Sequence, residues 1–339
     1  MTVHPGPAAM KAGFANPAAA ESKLQIRQVW AHNLEAEFAW IQHAQEHYPY
    51  VSMDTEFPGV IHAPSKHHAE LTPPERYAGL KANVDALHLI QVGLAFAATA
   101  HSPPAVAFEI NLREFDPRVH RHNPDSVAFL ADSGIDFARN RADGVDAREL
   151  ASLLMGSGLV CPGDGNESDV TWVTFHPNYD FGYLVRLLTG RDLPDTLPEF
   201  LRLVRVFFGG EVYDVKHMVS RCRCRLPGSL DGLADALGVK REAGRSHQAG
   251  SDSAVTWDAF RRIRDEYFAK EGVRGFAGVL HGLEFDLDLY LAAEGDEKSE
   301  GGVITAAPAT GNGSSNRPAV AGNDNSRKVA PLPPRRTRP

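Results

Sequence analysis

Apolar positions along this chain recur with two alternating periods. After Asn33, placed to cap a helix, Leu34, Phe38 and Ile41 share the spacing of one helical face. YVSMDTEF (50–57) then reads as a strand ended by Pro58-Gly59. LHLIQVGLAF (87–96) and AVAFEINL (105–112) are β-rich runs suited to a buried sheet. Leu150 to Leu154 reads as helix, TWVTFH (171–176) as strand, and Asp180 to Leu188 as a helix stopped by Gly190. GEVYDVKHMV (210–219) holds a short strand or a helix start, and Leu230 to Leu237 a short helix closed by Gly238. From Ser251, an expected N-cap, to Phe268, the residues Ala254, Trp257, Phe260, Ile263 and Tyr267 mark a long amphipathic helix. Alternation of this kind predicts one α/β domain with helices on both faces of a sheet.

Composition adds boundaries. Residues 1–23 are Ala- and Pro-rich and read as a flexible lead-in without a signal-peptide core. The pattern of a folded domain runs from 24 to 293. Residues 294–339 turn to Gly, Ser, Asn and Pro and end in a basic PLPPRRTRP, which cannot bury enough apolar surface to fold. The net charge of −8 argues mildly against a nucleic-acid partner, although a cluster of catalytic carboxylates would add to the acid. No apolar stretch is long enough to span a membrane. Three cysteines, Cys161, Cys222 and Cys224, supply neither a disulfide framework nor the four ligands of a structural zinc site.

Three segments carry chemistry. In VSMDTEFPG, Asp54 and Glu56 point to one face of an apolar strand, where like charge and lost hydration are costly. A divalent cation between them removes the repulsion, and oxygen ligands suit magnesium or manganese. A solvent-facing acidic pair on an edge strand fits the same residues. In WVTFHPNYDFGYL, Asp180 sits where a strand-to-helix junction can face a cleft; taken alone it equally serves a helix N-terminus. In SHQAGSDSAV, Asp252 falls in the first helical turn, with His247 on the Gly-bearing loop before it, placed to take a proton from water. His43 and His47, at H-x-x-x-H spacing on a helix but without a third ligand, read as a surface pair.

Taken together, the D-x-E, the distant Asp after a strand and the H-x-x-x-x-D opening a helix follow the order of the histidine-type DEDD exonucleases. MDTEFPGV (53–60), FHPNYDFGYL (175–184), YDVKHM (213–218) and HQAGSDS (247–253) resemble the Caf/Pop deadenylases, catalytic subunits of the CCR–NOT complex. NVDALHLIQVGLAF (83–96) and ELASLLMGSGLV (149–160) fit the same family, and the likeness covers about residues 24 to 290. The resemblance implies an RNase H-like fold with a mixed central sheet, and a 3′-to-5′ exoribonuclease that shortens poly(A) tails and releases 5′-AMP. It implies two divalent metal ions, Mg2+ or Mn2+, held by Asp54, Glu56, Asp180 and Asp252, with His247 as general base. Phe57 and His176 become walls for the terminal adenosine, although an aromatic beside a catalytic strand is often core. Leu154 and Met155 fall in the segment near which the NOT scaffold docks, or are simply helix core. Poly(A) RNA, the NOT scaffold and a second deadenylase subunit are the implied partners, in cytoplasm and nucleus.

The connection CPGDGNESDV (161–170), the loop from His62 to Ala82 and the tail depart from that family. Two other readings stay open: an exonuclease acting on DNA or structured RNA, and a scaffold that keeps the nuclease fold for protein contacts. A nucleophilic Ser or Cys hydrolase fits poorly, since no G-x-S-x-G is present.

Overall fold

The computed structural model describes residues 23–64, 66–162, 170–222 and 225–300. The expected tail beyond 300, nearly all of the lead-in, most of the 161–170 connection and Cys224 therefore lie outside the described residues. The chain divides into two units, Met1–Ala292 and Ala293–Pro339.

Six strands form one mixed sheet: β1 (Ile26–Val29), β2 (Tyr50–Glu56), β3 (Gln91–Ala97), β4 (Val106–Asn111), β5 (Thr171–Thr174) and β6 (Val212–Asp214), in the order β1-β4-β3-β2-β5-β6. β2, β3 and β4 run antiparallel to one another, while β1 joins β4, and β5 and β6 join β2, in parallel. The helices are α1 (Leu34–His47), α2 (Pro73–Ala86), α3 (Pro124–Asp132), α4 (Phe137–Asp143), α5 (Ala147–Met155), α6 (Asn178–Thr189), α7 (Leu197–Phe208), α8 (Val215–Arg221), α9 (Leu230–Ala236), α10 (Ala249–Tyr267) and α11 (Leu287–Glu300). None of the described helices is long and apolar enough to cross a membrane. This is the expected mixed sheet of an RNase H-like, DEDD-exonuclease fold.

The alternation within β3 decides how the layers stack. Val92, Leu94 and Phe96 join the main core with Phe38 and Ile41 of α1, Phe181 of α6 and Phe200 and Phe208 of α7. On the opposite face the side chains are Gly93, Ala95 and Ala97, and α10 lies against them. A Cβ at Gly93 would meet the Ala249 carbonyl oxygen at 1.9 Å, so only glycine lets the start of α10 sit this close. The register places Gly93 directly across from Asp54. The small face of the sheet thus receives a helix, and the helix arrives at a carboxylate.

Several local expectations need correction. Asn33 stands at the N-cap of α1, but its side chain accepts the Trp30 N–H at 2.7 Å instead of capping. α10 starts at Ala249 with Gln248 as N-cap, so Ser251 is inside its first turn. The reason is non-local: the Ala249 and Gly250 N–H groups donate to Gln91 Oε1 and Glu109 Oε2 at 3.4 and 3.2 Å, acceptors that the sheet supplies. Ala249 to Trp257 are buried on every side, so the first half of α10 is not amphipathic. The 62–82 stretch contains the start of α2, with Pro73 at its first position and a Thr72–Glu75 capping box. Residues 294–300, expected as tail, continue the helix α11.

Replacing Gly93 by Ala should lower unfolding stability by about 1–3 kcal/mol, the range for overpacking a filled interior. Urea unfolding checks this, and an unchanged midpoint would show that the contact with Ala249 is not fixed.

Candidate metal-binding active site

β2 presents Ser52, Asp54 and Glu56 to α10, and the Ser52 hydroxyl ties the two elements by donating to the Ser253 carbonyl at 2.7 Å. Beyond Ser52 the strand has outrun its neighbour, because β5 pairs only with Tyr50 to Ser52 before the chain turns into α6. That turn brings Asp180, in the first turn of α6, onto the open edge. There its Oδ1 accepts the Thr55 N–H at 2.9 Å and the Thr55 hydroxyl at 2.6 Å. Asp252 comes from the first turn of α10 on the other side. Its Oδ2 accepts the His247 N–H at 2.9 Å, and its Oδ1 lies 2.6 Å from Arg241 Nη1.

The electrostatics show that these carboxylates share one space. Burial, followed by Asp180, Asp252 and Glu56, pushes Asp54 well above the ordinary carboxylate range, with Arg241 opposing. Glu56 is pushed well above it too, by burial and then by Asp252, Asp180 and Glu109. Asp180 rises to about 6, burial outweighing the hydrogen bonds from Thr55. Burial raises Asp252 as well, against the pull of Arg241 and the His247 N–H. Glu56, Asp180 and Asp252 are 8%, 7% and 6% exposed, so water does little to screen them. An all-carboxylate set under mutual repulsion, with one arginine beside it, is a donor set that suits hard divalent cations.

The structure also brings His247 to the cluster. Glu56, His247 and Asp252 each offer a ligand atom within 4.8 Å of the other two. His247 has φ of 62°, a left-handed backbone that a non-glycine residue holds only when its surroundings enforce it. The ring of Phe129 meets it edge-on at 4.5 Å. His43 and His47 have Glu46 within the same reach, yet both histidines lie on the solvated face of α1, and His47 Nδ1 is 2.8 Å from the His43 carbonyl.

The remaining expected residues separate. His176, again left-handed with φ of 57°, lines a 210 Å³ pocket with Tyr179, His281 and Arg76. Phe57 does not line that pocket; it stacks on Tyr179 at 5.1 Å and lies 5.2 Å from Tyr183, supporting the wall from behind. Leu154 is core at 4% exposure, so it offers a partner no surface, whereas Met155 is 47% exposed.

Sequence reasoning passed over Thr55, Arg241, Tyr179 and Asp214. Asp214 is fully buried and accepts the N–H groups of His176, Lys216 and His281 at 2.8, 2.9 and 2.8 Å. Thr55 was legible, since it lies between the two acids of the D-x-E. Arg241 carries no local signal of its contact.

A profile described as CAF1 family ribonuclease matches residues 29–156. The probable CCR4-associated factor 1 homolog 7 of Arabidopsis thaliana is 41% identical over 270 residues, covering 78% of this chain and 94% of that protein. The chain belongs to the CAF1 ribonuclease family. The poly(A) ribonuclease pop2 of Schizosaccharomyces pombe is 37% identical over 267 residues, 77% of each protein. Among solved CAF1-type structures, S. pombe Pop2p in its Mg2+- and Mn2+-bound form superimposes with a TM-score of 0.69 at 37% identity, over 76% of this chain and 99% of that one. Yeast CAF1 co-crystallised with the NOT1 MIF4G domain gives 0.63 at 27% identity, over 78% and 99%.

The raised carboxylates of this CAF1 protein carry a pH signature. A carboxyl group whose folded value is raised binds its proton more tightly when folded, so it favours the fold at low pH and that favour is lost as pH rises. Asp180 and Asp214 move from 3.8 to about 6. The metal-free protein should therefore lose thermal stability as pH rises from about 4 to about 6, and added Mg2+ should restore it at the upper end only. Differential scanning calorimetry in chelator and in magnesium checks both; equal magnesium effects at the two ends would exclude a carboxylate site.

Proposed function

We propose that this chain is a divalent-metal-dependent 3′-to-5′ exoribonuclease that trims poly(A) tails one nucleotide at a time and releases 5′-AMP. The observation that carries the reading is the convergence of Asp54, Glu56, Asp180 and Asp252, each raised by burial and three of them hardly exposed, at the end of β2. The adenosine substrate is supported by the 37% identity to a protein named poly(A) ribonuclease and by the matching fold.

The four carboxylates would hold two divalent ions, which would supply Lewis acidity toward the phosphate and neutralise the cluster. The chain's own groups do the rest. Thr55 fixes the rotamer of Asp180 through two hydrogen bonds, and Arg241 with the His247 N–H fixes Asp252. His247, on its constrained loop beside Glu56 and Asp252, accepts the proton of the attacking water. His176 and Tyr179 flank the terminal base in the 210 Å³ pocket, and Phe57 holds Tyr179 in place.

Recruitment to messages follows from a NOT-type scaffold docking at the exposed Met155 end of α5, with a second deadenylase in the same assembly. Yeast CAF1 co-crystallised with a NOT1 domain supports a NOT-type scaffold as partner.

A 5′-labelled RNA with a tail of about 20 adenosines, longer than one binding site, tests the assignment. In magnesium or manganese it should shorten as a ladder, and in chelator it should not. Asp54→Ala should abolish the ladder and His247→Ala slow it by roughly 10²–10⁴-fold. Equal rates on A-tailed RNA, mixed RNA and single-stranded DNA would overturn the poly(A) preference; an active Asp54→Ala would overturn the metal site.

A further inference from the structure

Away from the carboxylate cluster, the described residues hold one more group of metal-ligating side chains with a buried member. His217 on α8, His281 and Glu284 each offer a ligand atom within 4.8 Å of the others. His217 Nδ1 is 3.6 Å from Glu284 Oε1 and His281 Nδ1 is 4.0 Å from the same oxygen. Both distances exceed hydrogen-bond reach. Neither Nδ1 has a hydrogen-bond partner among the described residues, although both atoms are buried. His217 as a whole is only 5% exposed, so its ring aims an unsatisfied nitrogen at the glutamate. A buried polar atom of that kind calls for a ligand.

We infer that His217, His281 and Glu284 bind a zinc-class divalent ion at a site separate from the catalytic carboxylates. Two imidazoles and one carboxylate form a zinc ligand set that leaves a fourth position for water. His217 and Glu284 also line a 780 Å³ cleft. Two nitrogen donors and one carboxylate make this site softer than the catalytic cluster, whose four carboxylates have the single imidazole of His247 beside them. Zinc bonds of about 2.0–2.1 Å place tetrahedral ligands roughly 3.3 Å apart, so groups that now lie within 4.8 Å of one another must draw together by up to about 1.5 Å. Glu284, at 38% side-chain exposure, has the freedom to do so.

The backbone around the site is already built. The His281 N–H donates to the buried Asp214 at 2.8 Å, and Asp214 also accepts the Lys216 N–H beside His217. One carboxylate therefore ties together the two segments that carry the histidines. Phe276 packs edge-on against the His217 ring at 6.1 Å. Burial lowers the proton affinity of both histidines, and Glu284 opposes it. The ion would lock His281, whose ring lies 5.6 Å from that of His176, and so would stiffen one side of the proposed base pocket.

The test titrates full-length protein with Zn2+ and with Co2+ against a background of Mg2+. Calorimetry should show a site in addition to the carboxylate cluster, and Co2+ should give the intense visible absorption of a tetrahedral centre. His281→Ala and Glu284→Gln should each weaken that site at least tenfold and lose the Co2+ band, with the magnesium-dependent thermal shift unchanged. His217→Ala removes a buried ring and is checked for folding first; the two more exposed variants decide the matter without it. Zinc binding of equal affinity in wild type, His281→Ala and Glu284→Gln, or a Co2+ spectrum of octahedral oxygen ligation, would overturn the site.

Discussion

Four carboxylates from three segments occupy one poorly hydrated space at the end of β2, and their mutual repulsion sets the terms for the structure around them. Such a gathering is unfavourable on its own, since both burial and like charge penalise the ionised forms. It is held together by geometry that stabilises the fold elsewhere. The large side chains on one face of the sheet bury α1, α6 and α7. That apolar face offsets the cost incurred on the other, where Gly93 lets α10 press down until Asp252 meets Asp54 and Glu56.

The two histidines of the site regions reach their places by the same device. His176 and His247 both have left-handed backbones, and each gives its N–H to a buried aspartate, Asp214 in one case and Asp252 in the other. A non-glycine residue holds that conformation at a cost of order 1–3 kcal/mol, sustained only where surrounding contacts enforce it. A charge-assisted hydrogen bond to a carboxylate is strong enough to do so. The strain turns the chain sharply after β5 and before α10, the two junctions that deliver Asp180 and Asp252.

How much of this was legible depended on the range of the interaction. β2, β5, α6 and the second half of α10 follow from apolar patterning, and β3 and β4 from continuous β-rich runs that suit a sheet buried on both faces. The carboxylates were legible as a set only through the family resemblance, because each taken alone also fitted an edge strand or a helix N-terminus. α2, α3 and α7 also had local signals, in Thr72-Pro73, Asn123-Pro124 and Thr196, each a capping residue ahead of a helix with proline in its first turn. What could not be read was contact between distant segments. The start of α10 is satisfied by Gln91 and Glu109, not by a cap of its own. Phe57 looked like a pocket wall from its position after Glu56, yet Tyr179, more than a hundred residues away, stands in front of it. Leu154 and Met155 are adjacent in sequence, but helical geometry turns one into the core and the other out.

Arg241 and Asp214 show how the site tolerates its own charge. Arg241 sits 2.6 Å from Asp252 and offsets part of the repulsion, but a single fixed cation cannot balance four carboxylates, and the deficit is what bound divalent cations would fill. Asp214 acts one layer further out. It is fully buried, it raises Asp180 electrostatically, and it spends its oxygens on backbone N–H groups of His176, Lys216 and His281. Through those bonds it fixes the histidine beside the proposed base pocket and the histidine of the inferred zinc site at once. Bound by backbone N–H groups of three residues, Asp214 contributes rigidity to the segments that it joins. Placed between two clusters that must each hold ligands at fixed distances, that rigidity is what lets a strained junction carry both.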